Sequence, residues 1–417
     1  MLARVEFASS PKFRLSPQIP RAGPVCESRP NMISKRYYLT ILSSIPILLA
    51  QVFLARRALR RMGTSRRGFR LWRAAVITGA ILFLAITFTE FNDTVWIPRV
   101  LAATAQALLN LYGLISVAAV AIFIVFELAA KRLPVSFRQD RRRALRVLAS
   151  TAVAGPIAAA GFAVFIERTN FEVCDTTVGV RNLPQELNGL RLLQISDIHL
   201  GPFLSVRTLA RVIDSANELK AHMAFVTGDL ITAKGDPLDA CLSQLARLKA
   251  DVPTLGCLGN HEVYAGAVDY TANKGARMGI EFLRSRAKRI QIRGAALNVV
   301  GVDYEPFERR PNYLRQAGSL IQPGAVNVLL SHNPDVFPTA AAQGYDLTLA
   351  GHMHGGQVTC EILSPALNPA RILTPFVRGL YRNGDRACYV TRGIGTLGVP
   401  ARLGARPEIT LLTLRQL

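Results

Sequence analysis

Residues 190–199 read Leu-Arg-Leu-Leu-Gln-Ile-Ser-Asp-Ile-His, an apolar run followed at once by two side chains that can bind metal ions. The run Leu190–Ile195 has the length and composition of a buried β-strand. In open α/β sheets, ligands collect just outside the carboxyl ends of the strands. The positions of Asp197 and His199 therefore predict a layered α/β fold with a functional site where the strands end.

The same arrangement continues along the chain. Strand-like and helix-like segments alternate in the order Val206–Leu219 (helix), Met223–Thr227 (strand), Leu238–Lys249 (helix) and Thr254–Leu258 (strand). Such alternation predicts β/α layers. Polar clusters mark five places in this half: Asp197-Ile198-His199, Gly228-Asp229, Gly259-Asn260-His261-Glu262, Ser331-His332-Asn333 and Gly351-His352-Met353-His354-Gly355-Gly356-Gln357.

The histidines concentrate in these clusters. Of the six histidines in the chain, only His222 lies elsewhere, and we expect it at the surface or at a helix end. One isolated Asp or Asn after a strand would usually indicate a turn or a helix cap. Because five of the six histidines lie in these clusters, we infer a functional site rather than a set of turns and caps.

Residue type defines that chemistry further. Two Asp, one Asn and four His, without cysteine, form a nitrogen and oxygen donor set suited to Mn, Fe or Zn ions. Seven donors are too many for one ion, whereas two ions about 3.5–4 Å apart can share a carboxylate and act on a phosphoryl group. An extended segment would point Asp197 and His199 to the same side. His352 and His354 repeat that spacing, although their loop can direct them to different ions.

The five blocks resemble the metallophosphoesterase (calcineurin-like phosphoesterase) superfamily, whose pattern is D-x-H, G-D, G-N-H-[DE], H and G-H-x-H. The resemblance runs from about Leu190 to Leu414. The ending, with Arg392-Gly393-Ile394-Gly395, resembles a branch of membrane-anchored bacterial enzymes and transmembrane proteins with a metallophosphoesterase domain.

The resemblance implies an α/β domain, a β-sandwich flanked by helices, with two divalent metal ions and a bridging hydroxide as the nucleophile. Glu262 would hold a loop rather than catalyse, and Arg392, Arg402 and Arg406 would either meet a phosphate or lipid head group or be structural. The implied roles are Asp197, His199 and His354 on the first metal, Asp229 bridging both, Asn260, His332 and His352 on the second, and His261 as a catalytic residue that binds no metal.

The first half of the chain has a different character. Over the whole chain, half of the residues are hydrophobic, 19% are charged and the mean hydropathy is +0.24, which suggests a membrane part. Four apolar runs, near 38–55, 74–91, 105–130 and 147–166, approach the roughly 20 residues that a membrane-spanning helix needs. We therefore predict all-α transmembrane helices at 32–168, a metallophosphoesterase domain at 169–417, and a segment at 1–31 that is disordered or precedes a true start at Met32.

Charge sets the expected orientation. The net charge of +22 lies mainly in the first half, where the loops 56–73 and 131–146 are rich in arginine. Such loops stay in the cytoplasm, so we expect a multi-pass inner-membrane protein with its catalytic domain on the non-cytoplasmic side. Because the basic excess accompanies the apolar runs, nucleic acid is not an expected partner, whereas a lipid bilayer is.

The leading functional hypothesis is a membrane-anchored phosphoesterase that hydrolyses a phosphoester or pyrophosphate bond, with a lipid-linked substrate as one option. A specific alternative is an enzyme that resembles UDP-2,3-diacylglucosamine pyrophosphatase of lipid A synthesis, although the expected topology argues against it. A further alternative is a non-catalytic membrane scaffold of the same fold. A scaffold should have lost metal-binding residues, and none is missing from the pattern.

Overall fold

The structure, a computed structural model, describes residues 45–53, 56, 70, 74, 99–131, 154–361 and 364–417. Contacts group Pro46–Leu417 as one unit, and everything below concerns that unit. The predicted segment 1–31, nearly all of the apolar run 74–91 and most of both arginine-rich loops lie outside the described residues.

Twelve strands form two six-stranded sheets in the described part of the chain. The first sheet has the order β1-β12-β2-β3-β4-β5 and the second the order β10-β11-β9-β8-β7-β6. In the first sheet β2 to β5 run parallel, and in the second β7, β8, β9 and β11 do. The strands are β1 Glu172–Val180, β2 Arg191–Ile195, β3 Met223–Thr227, β4 Thr254–Cys257, β5 Ile280–Phe282, β6 Arg286–Ile292, β7 Ala295–Gly301, β8 Val326–Leu330, β9 Leu347–Ala350, β10 Gly379–Asn383, β11 Arg386–Val390 and β12 Glu408–Gln416.

The two sheets pack face to face. Leu192 and Phe225 of the first sheet share one buried cluster with Val328 and Leu349 of the second. Since side chains alternate along a strand, Leu193 points the other way, into the cluster beneath the helices. The predicted mixed α/β architecture is confirmed, with one core between the sheets and another under the helices.

Helices cover the outer faces of the sheets. Val206–Glu218 presents a buried stripe of Leu209, Val212, Ile213 and Ala216, the spacing of an amphipathic helix. The hydroxyl of Ser205 accepts a hydrogen bond from the Thr208 N–H and caps its first turn. The remaining helices of the domain are Leu238–Leu245, Asn260–Tyr264, Val268–Arg277 and Phe337–Gln343.

One of these helices is shorter than the sequence predicts. The segment Leu238–Lys249 was expected to be helical throughout, but the helix ends at Leu245. The Arg247 and Leu248 N–H groups bond to carbonyls three residues back, so the chain tightens into turns there.

In the first half, the helix Arg99–Lys131 is 33 residues long. Its segment Leu101–Val125 has a mean hydropathy of 2.4 and is, among the described residues, the one helix long and apolar enough to cross a membrane. The helical stretches 45–53 and 154–165 fall within two other predicted runs, whose remaining residues are largely outside the described part. A multi-helix membrane domain thus stays a prediction.

The long helix contacts both its neighbour in the first half and the α/β domain. Gln51 donates to the Ser116 hydroxyl at 2.6 Å and accepts from Tyr112 Oη at 2.6 Å. Asn110 donates from Nδ2 to the carbonyl of Gly398, 3.2 Å away. The stretch 154–165 is joined to the domain as well, because Ala163 accepts from the Arg402 N–H at 3.1 Å.

Candidate metal centre

The five polar clusters meet at one edge of the sandwich. Each follows a strand directly: β2 leads to Asp197, β3 to Asp229, β4 to Asn260, β8 to His332 and β9 to His352. Because parallel strands end at the same edge, the fold brings together side chains that are up to 157 positions apart in the sequence, such as Asp197 and His354. His222 lies elsewhere and accepts from the Arg191 N–H at 2.9 Å.

One group of donors contains Asp197, His199 and His354. The Oδ1 atom of Asp197 lies 3.4 Å from Nε2 of His354, which lies 3.1 Å from Nε2 of His199. All three residues are buried, and their donor atoms lie within 4.8 Å of one another. Such a cluster can surround one cation.

A second group contains Asp229, His332 and His352. Nε2 of His332 lies 3.0 Å from Oδ2 of Asp229 and 3.2 Å from Nδ1 of His352. The same Oδ2 atom lies 3.5 Å from Nε2 of His199, which belongs to the first group. Asp229 therefore stands between the two groups, in the position that a bridging carboxylate requires.

Two further buried residues, which follow β4, carry polar atoms without a partner. Asn260 Oδ1 and His261 Nε2 are buried and have no hydrogen-bond partner among the described residues. Leaving a buried polar atom unpaired costs on the order of 1–3 kcal/mol. A divalent cation would satisfy the Asn260 oxygen, and the surrounding set of imidazoles and carboxylates suits such a cation, so the residues fit the expected metals.

His261 is oriented by its other ring nitrogen. Nδ1 lies in hydrogen-bond contact with the Thr232 carbonyl oxygen, which fixes the ring and directs Nε2 into the centre. The ring centroid lies 4.7 Å from that of His199, edge to face. The geometry thus places His261 beside the donors, and its predicted role without a metal bond stays a prediction.

The pKa shifts of three histidines show where negative charge is concentrated at the centre. Burial opposes protonation of His332, but the carboxylates of Asp229 and Asp197 outweigh it and raise the pKa to about 10. Burial lowers the pKa of His199 and of His352 to about 3 each. Negative potential is therefore concentrated around His332, and the carboxylates that attract a proton there would equally attract a metal cation.

The backbone at the centre is unusual. Five donor residues have positive φ, a conformation that costs non-glycine residues on the order of 1–3 kcal/mol each and clusters at functional sites. They are Asp197 (49°), His199 (48°), Asp229 (56°), His352 (75°) and His354 (49°). The expected extended conformation of 197–199 is therefore wrong: the N–H groups of Asp197 and His199 bond to the carbonyls of Gly228 and Asp229, each at 3.0 Å, and wrap the loop onto its neighbour.

Glu262 fastens two of the loops together. Its carboxylate is fully buried and accepts from the N–H groups of Leu230 (2.7 Å), Gly259 (2.8 Å) and Asp229 (3.0 Å), with a longer bond from Ile231 (3.4 Å). These contacts agree with the loop-holding role expected of it. A Cβ atom at Gly259 would overlap Oδ1 of Asp229, so only glycine lets the loops approach this closely.

The three arginines singled out in the sequence are structural. Arg392 pairs with Glu408 at 2.6 Å and Glu172 at 2.7 Å, and Arg406 pairs with Glu172 at 2.8 Å. Arg402 is fully buried, and burial lowers its pKa to about 9. Its guanidinium donates to backbone carbonyls of His354, Gly393, Gly395 and Ala405, which sequence reasoning did not anticipate.

Two aromatic side chains that no sequence motif singled out pack against His352. The ring of Tyr304 lies 5.7 Å from His352 and that of Phe307 lies 5.9 Å from it. Both residues follow β7, so their position after a strand of the second sheet is the signal that could have identified them.

Comparisons with known proteins show what the domain is similar to. The family model described as calcineurin-like phosphoesterase matches residues 190–356. A "Transmembrane protein with metallophosphoesterase domain" from Danio rerio is 34% identical over 260 residues, 59% of this chain and 57% of the relative, so the chain spans little more than half of that protein. The protein of the same name from Bos taurus is 27% identical over 376 residues, 83% of this chain and 81% of the relative.

A third relative, "Phosphodiesterase YaeI" from Escherichia coli, is 29% identical over 230 residues, which are 54% of this chain and 82% of the relative. The bovine match is longer than the whole of residues 172–417 and so includes part of the first half. The matched family model and the clustered donors agree on the same residues. Residues 190–356 therefore match the calcineurin-like phosphoesterase model, and the chain is similar to metallophosphoesterases and to a phosphodiesterase.

Proposed function

We propose that the chain is a membrane-anchored phosphoesterase whose centre holds two divalent metal ions and hydrolyses a phosphoester or pyrophosphate bond. The observation that carries this proposal is the position of Asp229, whose Oδ2 atom lies 3.5 Å from His199 and 3.0 Å from His332. One carboxylate oxygen facing two groups of donors is the arrangement that a pair of cations needs.

Two bound cations would activate water and neutralise charge on the phosphoryl oxygens. The first ion would be held by Asp197, His199 and His354, the second by Asn260, His332 and His352, and Asp229 would be shared. Glu262 and Arg402 hold the loops that carry these side chains through buried hydrogen bonds to the backbone. Mn, Fe and Zn all suit such a donor set.

His261 supplies the proton chemistry. Because Nδ1 faces the Thr232 carbonyl, this nitrogen carries a proton and donates it in a hydrogen bond. Nε2 is left free, and when it carries a proton it can donate a hydrogen bond to a phosphoryl oxygen or give the proton to the departing oxygen. Tyr304 and Phe307 pack beside His352 and limit the space on that side of the centre.

The arrangement argues against the scaffold alternative. Six of the seven expected metal donors cluster at the strand ends, and five of them hold costly backbone conformations. A binding module that had lost catalysis would have no reason to keep that strain.

The long helix supports a non-cytoplasmic catalytic domain. At 33 residues it is about 50 Å long, whereas the hydrocarbon core is about 30 Å thick. The catalytic domain contacts it at Asn110, in its first half, and the arginine-rich loop 131–146 follows its other end. If that loop is cytoplasmic, the domain lies on the opposite side, which disfavours a cytoplasmic nucleotide-linked lipid as the substrate.

The test uses the full chain in detergent. We expect two metal ions per chain by elemental analysis and metal-dependent hydrolysis of bis(p-nitrophenyl) phosphate. The control variant Glu218→Gln, at an exposed position on the helix Val206–Glu218, should behave as the parent does. A folded protein that bound metal but hydrolysed neither this diester nor p-nitrophenyl phosphate would refute the proposal.

A further inference from the structure

The loop 364–376 carries an exposed apolar tip. Ile372 is 88% exposed, Leu373 is 64% exposed and Leu367 is 48% exposed. Isolated exposed leucines are normal, but large apolar side chains grouped on one loop mark an interaction surface. The described residues leave most of Ile372 and Leu373 and about half of Leu367 uncovered.

The loop is fixed at both sides of its tip. Asn368 is 1% exposed, and its Nδ2 donates to the Gly355 carbonyl at 3.1 Å, directly after the predicted metal ligand His354. Thr374 is 2% exposed, and its hydroxyl bonds to Asp335. Between these anchors Ile372 and Leu373 are held outward rather than folded back, and Leu367 lies directly before the first anchor.

The loop lies at the end of the domain that meets the first half of the chain. The Thr359 hydroxyl donates to the Leu367 carbonyl at 3.2 Å, and the Thr359 N–H donates to Leu403 at 2.8 Å. The neighbouring Arg402 N–H bonds to Ala163 of the helical stretch 154–165. That stretch ends at Phe165, which is 80% exposed.

A second link leads from the same region to the candidate span. Gln357, in the loop after His354, donates to the carbonyls of Leu397 at 3.0 Å and Val399 at 2.8 Å. The residue between them, Gly398, accepts from Asn110 of the long helix. The exposed tip, the loop of the expected ligand His354 and the candidate membrane helix are therefore joined by a series of direct contacts.

We propose that Leu367, Ile372 and Leu373 insert into the lipid interface beside the long helix and hold the His354 side of the centre at the membrane surface. This inference rests on the membrane anchorage in the proposed function. Arg371, beside the tip, pairs with Glu361 at 2.8 Å and lies where an arginine can also meet lipid head groups. A site held there would act on phosphoesters that reside in or partition onto the membrane.

The test places a polarity-sensitive fluorophore on the tip. Ile372→Cys is made in the full chain with Cys26→Ser and Cys360→Ser, and the background without Ile372→Cys corrects for labelling at other cysteines. Ser243→Cys, an exposed polar position on the helix Leu238–Leu245, is the matched control. The labelled proteins are studied in phosphatidylcholine vesicles with and without lipids that carry a nitroxide at shallow depth.

We expect the label at position 372 to emit at shorter wavelength than the label at 243 and to be quenched several-fold more by the nitroxide lipids. Emission and quenching equal to the control would overturn the proposal. A shorter wavelength without lipid quenching would also overturn it, because a protein partner or a second copy of the chain would then cover the tip. Since the label needs no catalysis, quenching in an inactive protein would refute the proposed function alone.

Discussion

The carboxylate of Glu262 offers the sharpest test of how the centre is built. Its Oε2 accepts from Asp229 and Gly259, and its Oε1 from Leu230 and Ile231. In Glu262→Gln one oxygen becomes an NH₂ group, which cannot accept, so two of these bonds are lost whichever way the amide faces. At about 1–1.5 kcal/mol for each bond, the free energy of unfolding falls by about 2–3 kcal/mol.

This loss corresponds to a fall in Tm of about 5–10 °C for a domain of this size. The bonds also hold the loops of Asp229 and Asn260, so metal affinity should fall by about 10–100-fold. Glu262→Ala, which leaves all the donors unpaired, should cost about 4–6 kcal/mol. Thermal unfolding followed by near-UV circular dichroism, together with metal titration, measures both effects, and Glu218→Gln is the control. An unchanged Tm and unchanged metal affinity in Glu262→Gln would refute the loop-holding argument.

Three further predictions concern the metals, the proton donor and the topology. Asp229→Asn should abolish turnover and lower the content of both metals while the domain still folds, and two retained metals with normal turnover would contradict the bridge. His261→Ala should keep its metals but lose about 100-fold or more in turnover. That loss should be smaller on p-nitrophenyl than on alkyl phosphoesters, and an equal loss on both would count against a general acid. Alkaline phosphatase fused after Leu417 should be active and green fluorescent protein dark, and the reverse pattern would place the domain in the cytoplasm.

The sequence identifies the site well because its residues follow strands. β3, Met223–Thr227, occupies the predicted residues, and the helix Val206–Glu218 ends one residue before its predicted end. In both places the apolar period and the flanking polar residues are local signals. The polar clusters then meet because parallel strands end at one edge of a sheet. The sequence spacing of His199 and His332 alone does not predict that they lie close together.

The features that the sequence does not predict depend on contacts between distant segments. The positive φ of Asp197 and His199 arises from hydrogen bonds to Gly228 and Asp229, so no pattern within 197–199 could reveal it. Arg402 looks like any surface arginine in the sequence, yet it is buried, and four backbone carbonyls from its own loop, the loop at Gly393–Gly395 and the loop of His354 converge on it. Such features follow from how loops pack against one another and not from composition or period.

The position of β12 has a consequence for biosynthesis. This strand follows all the others described, yet it lies between β1 and β2, parallel to the first and antiparallel to the second. As the ribosome makes the chain, β1 and β2 emerge with their shared partner still missing. A chain exported across a membrane during synthesis would therefore stay incompletely folded until Glu408–Gln416 had also crossed, and would have its loops free for metal loading on the far side.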